Sequence, residues 1–269
     1  MCHGGRGTRQ TAYAITHQMA PFDDRLRLCV NSDDLGLSSG IDAGVELLVR
    51  AGVVTSVSAL PWPRAFATLR RWRGDALLPS VGLHACLAAD RDARLPTLLA
   101  CLRDAPKLRA AVIGQHDDLC EAWGAPLTHL DAHQHLHLLP PLRRALDHVA
   151  DQRRVPWVRV PRERGAGLKA VLLRACFLGV ASPVAFMGLG LTGRISWEAV
   201  DARLDALQAS GARRVVWMVH PGRVTSDHPS WDGLRQAREQ ELDALLQIAE
   251  RLRARVRLVP MDDLLSPAD

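Results

Sequence analysis

The stretch "RLRLCVNSDDLGLSSGIDAGVELLVRAGVVTSVSAL", residues 25–60, reads as strand, polar turn, helix and strand in immediate succession. The apolar run over 25–30 stops abruptly at NSDDLG, as a buried strand does where it reaches a turn. Ser38 or Ser39 can cap the helix that follows, and Gly52 can end it. VVTSVSAL (53–60) is rich in β-branched residues and predicts the next strand. Two strands joined by one helix in so short a span lie parallel, with the helix as crossover.

The same unit recurs along the chain. A helix carrying Arg70, Arg71 and Arg73 precedes a strand over 80–87. A helix over 107–124 ends at Gly124, and PLTHLDAH (126–133) alternates as a strand does. Pro140 and Pro141 open another helix, and VPWVRVP (155–161) predicts a strand held between prolines. Ser196 caps an amphipathic helix over 196–211. RRVVWMVH (213–220), a long helix from Gly233 and RVRLVP (255–260) complete the series. Seven or eight such units, with no linker and no repeat, predict an α/β fold: a single distorted (β/α) TIM-like barrel over residues 26–269.

Residues 1–25 are polar, carry Gly4, Gly5 and Gly7, and lack the apolar core of a secretory signal, so they predict a flexible leader whose His3 and His17 are incidental. The stretch 175–193, ACFLGVASPVAFMGLGLTG, is uncharged and long enough to raise a membrane span. Pro183 and its four glycines break it, and Arg174 and Arg194 bracket it. It is expected to be a buried helix running into an apolar loop, with no transmembrane segment. Contact of that loop with a greasy substrate or a bilayer surface is the alternative. None of the six cysteines (Cys2, Cys29, Cys86, Cys101, Cys120, Cys176) shows CxxC spacing, which predicts reduced, mostly buried thiols and a cytoplasmic protein. The net charge of +5 comes from arginines scattered along the chain, so nucleic acid is not an expected partner. GxGxxG and GxxxxGK[ST] loops are absent, which argues against a nucleotide.

Chemistry collects at the predicted strand ends. Asp33 and Asp34 follow the first strand, His84 ends the third, and His220 ends the strand over 213–220. In a barrel these ends open on one face. Adjacent buried acids are costly without a cation, so one of the pair can bind metal while the other accepts a proton; a solvated capping turn is the alternative. His84, within an apolar strand, fits a core residue and a ligand equally well. His129, Asp131, His133, His135 and His137 alternate at period two. Fully extended they would span about 27 Å at ~3.4 Å per residue, too far to share one ion. The reading adopted makes His133 the ligand at the strand end, His129 and Asp131 supporting groups, and His135 and His137 substrate contacts. Pro221 and Gly222 in VHPGR turn the chain sharply after His220. Arg159 and Arg223 are the further expected substrate contacts.

NSDDLGLSSGIDAGVELLVRAGVVTSVSAL, VGLH, LTHLDAHQHLHLLP, FMGLGLTGRIS and VHPG occur in an order that resembles the YdjC-like carbohydrate deacetylases, including their chitooligosaccharide and hopanoid-associated branches. The resemblance runs from about Leu28 to the C-terminal helix. It implies a distorted barrel that hydrolyses the N-acetyl group of an amino sugar, either a chito-oligosaccharide or a lipid-linked N-acetylglucosamine. It further implies one divalent metal ion, zinc or magnesium, on Asp34, His84 and His133, with Asp33 as general base and His220 as general acid. His135 is the alternative second histidine ligand. NSDDLG replaces the commoner ADDFG form but keeps both acids. The segment after His84 departs from the family pattern, which bears on substrate identity. A barrel phosphoesterase and a non-catalytic sugar- or metal-binding barrel are the competing readings. A homodimer stays open.

Overall fold

The structure, a computed structural model, describes residues 25–77, 79–87, 104–164, 167, 171 and 175–266. The expected leader (apart from Arg25), Cys2, Cys101 and most of the segment after His84 lie outside them. Seven strands are present among the described residues: β1 (Arg27–Leu35), β2 (Ser56–Ala59), β3 (Ser80–Ala85), β4 (His129–Ala132), β5 (Ala185–Met187), β6 (Arg214–Val219) and β7 (Arg257–Leu258). The helices are α1 (Ser39–Arg50), α2 (Pro63–Gly74), α3 (Ala105–Trp123), α4 (Pro140–Arg153), α5 (Trp197–Ala209), α6 (Arg235–Arg255) and α7 (Met261–Leu265).

Every ladder is parallel, in the order β4-β3-β2-β1-β6-β5, with β7 paired to the start of β1. β1 is buried along almost its full length, as a central parallel strand covered on both faces must be. α1 forms where the sequence predicts it. The Ser38 hydroxyl accepts from the Ile41 N–H at 3.3 Å, and Ile41, Val45, Leu48 and Val49 at helical spacing face the core. Each such buried side chain contributes about 1.5–3 kcal/mol, so Val45→Asp would detach the helix from β1.

The sheet curls strongly. Val158 bridges the free edge of β4, and the next residue, Arg159, places its guanidinium 6.0 Å from the Phe186 ring on β5 at the opposite edge. The two edges therefore approach through side chains, yet among the described residues no ladder joins them. The α/β class and parallel sheet are as expected; the closed ladder of a full TIM barrel is not seen. The predicted strand at 155–161 supplies one bridge, because three of its seven residues are followed or preceded by prolines that break a ladder.

The 175–193 stretch also departs from expectation, because it contains β5. Three strand residues between Pro183 and Gly188 are too short to show a period. Gly188 has φ +132°, and a Cβ there would lie 2.4 Å from the Met218 carbonyl oxygen, so β5 leaves the sheet by a turn that only glycine fits. Among the described residues no helix is long and apolar enough to cross a membrane. Cys29 and Cys86 are buried as expected, while Cys176 is exposed.

Candidate active site

The site begins with a defect in β1. Ser32 pairs with Val57 and Leu35 with Ala59, so β1 spends one more residue than β2 over that interval. Asp34 takes up the excess at φ +67°, a left-handed conformation costing a non-glycine residue about 1–3 kcal/mol. In a regular strand Asp33 and Asp34 would point to opposite faces. The bulge lets both line one cavity of about 390 Å³ at the C-terminal ends of the strands.

His84 from β3 and His133 just past β4 meet Asp34 there. His84 Nε2 lies 3.1 Å and His133 Nδ1 2.8 Å from Asp34 Oδ1, and the two nitrogens are 3.3 Å apart. Zinc with ligands at about 2.0–2.1 Å in tetrahedral array needs its donors about 3.3 Å apart, so this trio fits a divalent ion. His133 follows β4 through a sharp turn in which Gln134 and His135 take φ +57° and +58°, so the period-two face of the histidine run ends at His133.

Charge supports the same reading. Asp33, Asp34, Asp131 and Asp232 are all buried around the cavity against two buried guanidiniums, Arg159 and Arg238. With Glu241 also buried against the His220 backbone, carboxylates outnumber guanidiniums here, an excess that a divalent cation would offset. Burial pushes the Asp34 carboxyl up, but Arg238 and then His133 overturn this and hold it well below the usual range. Burial opposes charge on His84, yet Asp131, and then Asp34, hold its pKa well above that of a free imidazole. An arriving cation would displace that proton.

Behind the trio, Asp131 Oδ1 accepts from His84 Nδ1 at 2.5 Å, which leaves Nε2 free to face Asp34 and His133. Asp131 Oδ2 accepts from Arg159 at 2.6 Å and from the Ser58 hydroxyl at 2.7 Å. With its one proton spent on Asp131, Ser58 Oγ accepts from His129 Nε2 at 2.9 Å. Burial, partly offset by Asp131, brings the His129 pKa down to about 4, consistent with this neutral role. His129 lies flat on β3 because residue 82 is glycine; a Cβ there would be 2.4 Å from the ring.

Arg159 also clamps Asp33, donating Nη1 to Oδ2 at 2.6 Å and Nη2 to Oδ1 at 2.7 Å. Asp33, His84 and Asp131 form a second grouping close enough to share an ion, but Arg159 already bridges its two carboxylates. His220 Nε2 lies 3.9 Å from Asp33 Oδ2. The His220 backbone N–H donates to Glu241 at 2.6 Å, and its Nδ1 is buried without a described partner.

Asp33, Asp34, His84, His133, His135 and His220 therefore share the cavity wall. Three expected substrate contacts do not. Arg159 is fully buried because two carboxylates need its charge. His137 is fully buried with its ring 5.6 Å from Phe177. Arg223 points to the surface, paired with Asp243 at 2.6 Å. Conversely, Trp231, Leu189, Met218 and Arg238 line the cavity without having been foreseen. Arg238 is one of five arginines in α6, and nothing in the sequence marks it as the buried one.

A mouse carbohydrate deacetylase is 30% identical over 244 residues, covering 74% of this chain and 78% of the relative. A Geobacillus stearothermophilus carbohydrate deacetylase is 28% identical over 87% of this chain and 96% of its own. A Klebsiella pneumoniae chitooligosaccharide deacetylase is 28% identical over 73% and 82%. An Enterococcus faecalis crystal structure, described as a cellobiose-phosphate cleavage protein, shares the fold with a TM-score of 0.70 at 19% identity, over 89% of this chain and 99% of that one. The model of the YdjC-like protein family matches residues 27–254, most of the chain, and this protein belongs to that family.

Proposed function

We propose that the protein is a metal-dependent hydrolase that removes the N-acetyl group of an amino sugar, with Asp34, His84 and His133 holding the ion. The observation that carries this reading is the meeting of their three donor atoms within 3.3 Å beside Asp33 and His220, in a chain whose relatives are named carbohydrate deacetylases. A divalent ion bound there supplies polarisation of the amide carbonyl and acidification of water. Asp33, fixed by Arg159 and by Asn31 Nδ2 at 2.9 Å, is placed to accept the water's proton as general base. His220 lines the same cavity, with its Nε2 3.9 Å from Asp33 Oδ2. It is the group placed to protonate the departing amine, without which the nitrogen is a poor leaving group. Trp231, its ring 6.2 Å from that of His133, offers an aromatic face for a sugar ring, and Leu189 and Met218 offer apolar wall for an acetyl methyl.

A chito-oligosaccharide is the substrate that the relatives' names support. A lipid-linked N-acetylglucosamine is the alternative, favoured by Leu178, an apolar side chain 79% exposed within the 175–193 stretch. The phosphoesterase reading is disfavoured because Arg159 fills the second ion's place.

Acetate release from N-acetylglucosamine oligomers and from a lipid-linked N-acetylglucosamine, with and without added zinc, tests the proposal. Metal-dependent acetate is expected. Release of phosphate from a generic phosphoester, with no acetate from either sugar, would overturn it.

A further inference from the structure

Arg238 and Asp232 are charged side chains buried beside the site, and the chemistry above does not use them. Arg238 Nη2 donates to Asp34 Oδ2 at 2.6 Å, and its Nε donates to Asp232 Oδ2 at 2.6 Å. Asp232 is held in turn by His228 Nε2 at 2.9 Å and by the Leu234 N–H at 3.0 Å. His228 is fully buried, and its Nδ1 lies 3.4 Å from Ser38 Oγ, the cap of α1. A continuous polar chain therefore runs from the start of α1, through the 228–234 loop, to the carboxylate of Asp34.

We infer that Arg238, anchored by Asp232, is a positioning residue that fixes Asp34 so that Oδ1 alone faces His84 and His133. The geometry carries this. Asp34 sits in a left-handed backbone conformation at a bulge, where the strand ladder no longer dictates side-chain direction. A carboxylate there could turn either oxygen, or both, toward an ion. Arg238 occupies Oδ2, and its planar fork can do so while holding Asp232. A lysine would keep the charge but could not span both carboxylates in fixed directions. The inference rests on the metal reading of Asp34, His84 and His133.

The test keeps local charge constant and reads the metal. Wild type, Arg238→Lys and Asp232→Glu would each be titrated with divalent cobalt, following the visible absorption and the dissociation constant. Circular dichroism of the metal-free proteins checks folding. Arg238→Lys should bind cobalt about tenfold or more weakly, the usual scale for removing a group that orients a ligand. Its absorption band should also change as Asp34 gains freedom to offer its second oxygen. Asp232→Glu should shift affinity in the same direction, and it carries the test if Arg238→Lys fails to fold. A folded Arg238→Lys that binds cobalt within about twofold of wild type overturns the inference. Wild type that binds no divalent ion overturns instead the metal reading beneath it.

Discussion

Asp131 Oδ1 lies 2.5 Å from His84 Nδ1, with both side chains buried. The contact decides which nitrogen of His84 carries the proton, and so which one can face a cation.

Asp131→Asn should therefore loosen the metal site without removing a ligand. An amide can present its NH₂ to His84 and favour the wrong tautomer. Metal affinity should fall about 10- to 100-fold, as for other groups that orient a ligating histidine. Isothermal titration with zinc measures this, and unchanged affinity would place Asp131 outside the site.

Asp33→Asn should keep the metal and lose turnover. Asp33 does not contribute to the Asp34, His84 and His133 trio, so bound metal per chain should stay near wild type. Loss of a general base should reduce the rate about 10²- to 10⁴-fold. Elemental analysis alongside acetate release separates the two effects, and full activity would remove Asp33 from the base's role.

His133→Ala should release the ion and His135→Ala should retain it. His133 Nδ1 lies 2.8 Å from Asp34, whereas His135 lines the cavity beyond a left-handed turn. Stoichiometric metal in His133→Ala would move the ligand to His135.

Stability should fall as the solution is acidified below about pH 6.5. Burial first, with Arg159 adding to it, lowers His137 to about 3 and burial lowers His129 to about 4, against 6.5 for a free imidazole. Between these values the unfolded chain binds protons that the folded chain refuses, so unfolding becomes easier as pH drops. Each histidine adds a slope of up to about 1.4 kcal/mol per pH unit. Urea midpoints from pH 7.5 to 4.5 should show this. Neither ring nitrogen of His137 has a described partner, so His137→Leu should fold and flatten the slope. An unaltered slope would show that His137 does not contribute.

Much of this architecture is readable from local pattern. Residues 25–60 announce β1, α1 with its Ser38 cap, and β2, because periodicity and capping act over a few residues. The strand-end positions of His84, His133 and His220 likewise follow from where apolar runs stop, whereas Asp33 and Asp34, expected in a turn after the strand, lie inside β1, which runs on through the polar NSDDL to Leu35. What stays hidden is set by distant partners. Arg159 reads as a substrate-facing cation until Asp33 and Asp131 are seen on either side of it. Arg238 and Glu241 look like surface residues of a polar helix, and only the fold shows one holding Asp34 and the other the His220 backbone. The burial of His137 depends on a turn made by Gln134 and His135 in conformations that neither residue type demands.

The pairing of β7 with the start of β1 bears on how the protein is made. β1 leaves the ribosome well before β6 and β7, which share its edges. All three proposed metal ligands are synthesised before residue 134, whereas Arg238 comes a hundred residues later. A nascent chain would hold Asp33 and Asp34 on an unfinished sheet until β6 and β7 have been made, so capture of the proposed ion in its final geometry belongs after that point, and chaperones have an exposed strand to guard until then.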